Sequence, residues 1–156
     1  MRLEYFQMID RIVDVNVDER VIRSVCAVPN ESTVFEGHFP SYPLMPGVLL
    51  TECMAQTTGW LVSVLCGFTT MPILVGVKEA KFRTFVLPGD NLEFEGKVVH
   101  EGSGFVVGSA VGRRDGKVVC EASLTYRMVA YPNPDFRKAV WDWAERIGVP
   151  VKESAK

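Results

Sequence analysis

Charge is almost missing from the middle of this 156-residue chain: between His38 and Lys78 the only Asp, Glu, Lys or Arg is Glu52. Histidine is scarce, with two in all, His38 and His100. Four cysteines (Cys26, Cys53, Cys66, Cys120) show no metal-ligand spacing and stand in apolar surroundings. That pattern suits buried, reduced thiols and excludes a cysteine metal site. Positive charge is not in excess. The 17 Lys and Arg stand against 19 Asp and Glu, for a net charge of −2, which argues against a nucleic-acid binder. There is no internal repeat and no low-complexity segment. The first ten residues carry Arg, Glu and Asp, so no secretory leader is expected. One apolar run, 48–68, is as long as a membrane span. It holds Glu52, Gln56, several Thr and Ser63, and reads instead as a buried core helix. A hydrophobic share of 47% and a charged share of 23% fit one globular domain with a core of useful size.

The uncharged middle opens with Gly37-His38-Phe39-Pro40-Ser41-Tyr42-Pro43-Leu44-Met45-Pro46-Gly47. Pro40, Pro43 and Pro46 fix φ and disfavour regular structure before position 46. Pro46 suits the first position of a helix, and Met45 ahead of it has no side-chain oxygen to cap the next amides. The N–H groups of Gly47 and Val48 are therefore expected to lack a local partner. With the positive end of the helix dipole behind them, they suit a carbonyl oxygen gaining negative charge, and Gly47 has no side chain to keep a ligand away. From Val48 to about Cys66 the chain is apolar on nearly every side, which predicts a buried helix. Glu52, Gln56, Gly59 and Ser63 share one narrow face of it. An apolar surround disfavours an ionised carboxylate and so suits Glu52 to act as a general acid, with Gln56 orienting it. His38, from the loop, is the natural general base.

Around this helix the periodicity predicts strands. Tyr5–Val15 and Arg20–Val28 form a hairpin about the turn at 16–19. A polar connector at 30–36 has room for one helical turn. After the helix come Ile73–Thr84, Asn91–His100, Phe105–Arg113 and Lys117–Val129, divided by Pro88-Gly89-Asp90, Gly102-Ser103-Gly104 and Arg114-Asp115-Gly116. Six antiparallel strands beside one apolar helix have a direct solution, a sheet that curls around the helix. Such a unit leaves an edge strand and apolar surface uncovered, so at least a dimer is expected. Residues 1–131 form this domain. Residues 132–156 are an appended amphipathic helix and tail, capped at Pro132-Asn133-Pro134-Asp135, with Phe136, Val140, Trp143 and Ile147 at helical spacing and a stop at Gly148. The helix is expected to pack on the sheet, the alternatives being that it shapes the tunnel mouth or an oligomer contact.

The run Gly37-His38-Phe39-Pro40, Pro43-Leu44-Met45-Pro46-Gly47-Val48-Leu49 and Glu52-Cys53-Met54-Ala55-Gln56 resembles the signature of the bacterial 3-hydroxyacyl-acyl-carrier-protein dehydratases, the FabZ and FabA families. Met8-Ile9-Asp10-Arg11, Lys81-Phe82-Arg83, Pro88-Gly89-Asp90 and Gly116–Ala122 resemble them too. Glu rather than Asp at position 52 is similar to the FabZ branch, which dehydrates and does not usually isomerise. The resemblance implies an α+β hotdog fold, a six-stranded antiparallel sheet wrapped around one long helix, here with an extra C-terminal helix. It implies dehydration of 3-hydroxyacyl thioesters to trans-2-enoyl thioesters in cytoplasmic fatty acid biosynthesis, with no metal or cofactor. His38 and Glu52 would be catalytic, and Gly47, Val48 and Gln56 would bind the oxyanion and substrate. The partner would be acyl carrier protein bearing a phosphopantetheine-linked chain, with no nucleic acid and no membrane insertion. The state would be a homodimer or a trimer of dimers, in which His38 of one subunit faces Glu52 of the other. The acyl tunnel is expected to be lined by Phe35, Leu49, Met54 and Phe85. Lys81, Arg83, Arg113, Arg114 and Lys117 could guide the acidic carrier. Two rivals are another thioester enzyme of the same fold (acyl-CoA hydratase or thioesterase) and a non-catalytic acyl-chain binding module.

Overall fold

The computed structural model describes residues 1–151, so positions 152–156 of the C-terminal tail lie outside the described residues. Six strands form one sheet: β1 (Arg11–Asn16), β2 (Val21–Ala27), β3 (Met71–Phe82), β4 (Asn91–Gly102), β5 (Phe105–Arg114) and β6 (Lys117–Val129). Their order is β1-β2-β4-β5-β6-β3, and every neighbouring pair is antiparallel. A short helix α1 (Thr33–Gly37) and the long α2 (Gly47–Leu65) fill the interval between β2 and β3, and α3 (Pro134–Arg146) follows β6. The turns fall where Asn, Asp and Gly predict them. Asn16 Oδ1 accepts from Glu19 N at 2.9 Å, and Ser103-Gly104 and Asp115-Gly116 adopt positive φ.

The sheet curls around α2, as its alternation requires. Ile22, Leu92, Phe94, Val98, Val106, Val119 and Leu124 point inward and are buried against Leu50, Cys53, Met54 and Leu61 of the helix. Two glycines set how closely helix and sheet approach. A Cβ at Gly96 or Gly108 would stand 2.6 Å from the side chain of Thr58, so any larger residue would push α2 off the sheet. Several polar groups at this contact are paired, while Thr58 Oγ1 is buried without a hydrogen-bond partner among the described residues. Thr57 Oγ1 donates to Cys53 O at 2.8 Å, Ser24 Oγ bonds Thr57 Oγ1 at 2.8 Å, and Tyr126 OH donates to Ala55 O at 2.8 Å. By length and hydropathy α2 could cross a membrane, yet here the curled sheet encloses it.

The chain departs from expectation in three places. The first strand starts at Arg11 rather than Tyr5, because Leu3–Tyr5 is a 3₁₀ turn closed by Phe6 in the left-handed region and by a bridge between Arg2 and Gln7. Pro46 is the N-cap of α2 rather than its first helical residue, and has no side chain that accepts a hydrogen bond. α3, capped by Asn133 Oδ1 accepting from Phe136 N at 2.8 Å, lies against the far end of α2 and the edge of β1 rather than across the sheet. Arg137 Nε donates to Phe68 O at 3.0 Å, Trp141 packs on Phe68 with ring centroids 5.3 Å apart, and Ile12 N donates to Ile147 O at 2.7 Å. Trp143 of the apolar stripe packs on Trp60, Trp141 beside it packs on Phe68, and Phe136 stays exposed.

All four cysteines are free; Cys26, Cys53 and Cys120 are buried and Cys66 is half-buried. Burial, and then the neighbouring Cys26, hold the Cys53 thiol well above its ordinary range, and burial pushes Cys120 from 9.0 up to about 12. In the unfolded chain Cys120 gives up its proton near 9.0, whereas in the folded chain it keeps it. The unfolded state then binds fewer protons, so this contribution is whole below pH 9.0 and is lost as pH rises toward about 12. Urea midpoints measured from pH 8 upward should therefore fall less steeply for Cys120→Ala than for the wild type; parallel falls would refute the assignment.

Candidate active site

α1 places His38. Ser32 caps the helix by accepting from Val34 N at 3.1 Å, and the helix ends at Gly37. The proline loop then folds back on His38. Leu44 N donates to His38 O at 2.8 Å, and the ring nitrogen Nδ1 lies 3.0 Å from Leu44 O. A carbonyl only accepts, so Nδ1 carries a hydrogen, and in the neutral imidazole Nε2 is the nitrogen with the lone pair. The ring is half-buried and stacks on Phe39 at 4.3 Å, across a peptide bond that is cis. Phe39 and Tyr42 exchange backbone hydrogen bonds of 3.0 and 3.1 Å, and Met45 N donates to Val86 O at 2.8 Å, so the loop is tied at both ends.

At the start of α2, Pro46 O accepts from Leu49 N at 3.0 Å and Leu50 N at 3.1 Å. Among the described residues the Gly47 and Val48 amides have no acceptor. The ring of Phe82 covers Gly47 so closely that a Cβ there would lie 3.1 Å from it. Val48 itself is 76% exposed. One turn further on, Gln56 Nε2 donates to Glu52 Oε1 at 2.9 Å. The amide is itself fixed by the N-terminal turn, because Gln56 Nε2 also donates to Phe6 O at 2.6 Å and Gln56 Oε1 accepts from Met8 N at 3.2 Å. Glu52 is half-buried, since its side of the helix faces a groove rather than the sheet.

That groove has a volume of about 270 Å³ and runs from Glu52 and Gln56 along the Gly59 and Ser63 stripe. Its walls are largely apolar, with Leu74 and Met71 of β3 on one side. The predicted face of α2 is thus assembled as one surface. His38, Gly47 and Val48 do not line it. Nor do Phe35, Leu49, Met54 or Phe85, the expected tunnel lining. Phe35 and Met54 are buried, Met54 in the core against the sheet, and Phe85 is 64% exposed. Apart from Glu52, Ala55 and Gln56, the residues that line it lie outside the motif, and Phe6 and Met8 act through backbone atoms that no sequence pattern marks. Most of the basic candidates are already engaged. Lys81 and Arg83 share Glu121 at 3.8 and 2.6 Å, Arg113 reaches Glu95 at 3.9 Å, and Arg114 pairs with Asp90.

A curled six-stranded antiparallel sheet closed on a central helix is the hotdog fold. Solved structures agree on the fold. A protein of Streptococcus mutans bound to acetyl CoA superposes with a TM-score of 0.61 at 17% identity, covering 79% of this chain and 90% of that one. A conserved protein of Pseudomonas aeruginosa gives 0.63 at 20% identity, over 81% and 91%. The family model of the FabA-like domain matches residues 2–123. The 3-hydroxyacyl-[acyl-carrier-protein] dehydratase FabZ of Shewanella pealeana is 38% identical over 128 residues, which is 76% of this chain and 80% of that protein. The FabZ of Shewanella oneidensis is 37% identical over 129 residues, with the same shares. The chain belongs to the FabA-like dehydratase family, and α3 lies beyond the residues that define it.

Proposed function

We propose that this protein removes water from 3-hydroxyacyl thioesters on acyl carrier protein, giving trans-2-enoyl thioesters for fatty acid biosynthesis in the cytoplasm. The observation that carries the reading is Glu52, held by Gln56 at the head of an apolar groove. His38 Nε2 takes the Cα proton, and the electron pair flows toward the thioester oxygen, where the Gly47 amide stabilises the charge. The enolate then expels the Cβ hydroxyl as Glu52 protonates it, so the C–O bond breaks and water leaves. The step ends with an imidazolium and a carboxylate, and a proton returns from one to the other before the next turnover.

In a single chain His38 does not reach the groove that Glu52 lines, so the reading requires a second copy. β3 forms a sheet edge and presents Ile73, Val75 and Val77 with exposures of 41%, 52% and 40%. An apolar edge of this kind is suited to pairing with its own copy, and a homodimer sharing two such sites is the proposed state. The carrier protein's phosphopantetheine arm would deliver the acyl chain between the copies.

A crotonyl thioester tests the chemistry in reverse. The reading expects hydration to the 3-hydroxyacyl thioester with no free thiol. Release of thiol would identify a thioesterase, and binding with neither product would identify an acyl-binding module. Faster turnover of the CoA than of the carrier-protein thioester would favour a hydratase.

A further inference from the structure

The groove beside Glu52 is not walled by α2 and the sheet alone. Val140 and Trp143 of α3 line it as well, and Trp143 meets Trp60, about two turns along α2 from Glu52. From Glu52 to Ser63 the floor is one face of α2, roughly 16 Å long at 1.5 Å per residue. Trp143 stands edge-on to Trp60, with ring centroids 5.5 Å apart and planes at 81°. α3 cannot drift from this place without breaking other contacts. Ala144 is fully buried, Val149 N donates back to Ala144 O at 2.9 Å, and the ties to Phe68 and Ile12 hold both ends. A rigid indole across a groove that begins at the general acid limits how far an alkyl chain can extend.

We infer that α3 is a chain-length stop, in which Trp143, seconded by Val140, sets the longest acyl chain the site turns over. The inference rests on the dehydratase reading of the same groove. Its occupant is the saturated tail of the 3-hydroxyacyl group, because the groove is continuous with Glu52 and largely apolar beyond Gln56.

The test is kcat/KM of the full-length protein against 3-hydroxyacyl carrier-protein thioesters of rising chain length, for the wild type and three variants. Trp143→Ala should move the optimum to longer chains, gaining about fourfold for each methylene newly seated. Val140→Phe should move it the other way, with long chains losing about tenfold or more relative to short ones. Lys138→Ala, on the exposed side of α3 where Lys138 pairs with Asp142 at 2.7 Å, should leave the profile as it is. Opposite shifts support the stop. Should Trp143→Ala fail to fold, Val140→Phe decides alone. Unchanged profiles with an active wild type overturn the stop and leave the dehydratase reading standing; a wild type inactive at every length overturns both.

Discussion

Glu52→Gln is expected to lower kcat by about a thousandfold while leaving KM within a few-fold, the loss typical of removing a general acid. The substitution keeps the shape and volume of the side chain. Its amide oxygen can still accept from Gln56 Nε2, which stands 2.9 Å from Glu52 Oε1. It only removes the proton that leaves with the hydroxyl. The groove walls are made by other residues, so acyl binding should survive, as measured by displacement of a fluorescent fatty-acyl probe. The melting temperature should hardly move, because Glu52 is half-buried and no core contact is changed. A variant that turns over within a few-fold of the wild type would remove Glu52 from the chemistry, and one that loses binding in step with turnover would make it a structural residue. His38→Ala should show a loss of the same order, because it removes the group that takes the Cα proton.

Much of this could be read from the chain because the strongest signals were local. A 19-residue helix with a single carboxylate, a proline loop ahead of it and six alternating segments around it left few ways to bury the apolar surface. The spacing of Glu52, Gln56, Gly59 and Ser63 did put them on one groove. What escaped depended on atoms without a pattern. Residues 5–15 read as one strand, but Phe6 O and Met8 N are taken by Gln56, and the strand begins only at Arg11. The walls of the single-chain groove were not legible, because Met54 and Phe35 are no less apolar than Leu74 or Trp143. The rotation of α2 against the sheet, set where Gly96 and Gly108 admit Thr58, turns Met54 to the core and Glu52, Gln56, Gly59 and Ser63 to the groove. Trp143 was visible as one turn of an amphipathic stripe; that the stripe would end at α2 rather than on the sheet follows from Trp60 and Phe68, far off in sequence.

The remaining question is which copy supplies the base. Two tagged variants, His38→Ala and Glu52→Gln, each lose about a thousandfold alone. Co-expressed, and purified through both tags in turn, they give a mixed dimer. If His38 of one copy serves Glu52 of the other, one site in that dimer carries both defects and the second is wholly intact, so turnover returns to about half that of the wild-type dimer. If each chain builds its site from its own His38 and Glu52, both sites stay broken and turnover remains at the level of the single variants. That second result, or a protein that cannot be isolated as a mixed dimer at all, would contradict a site shared between copies.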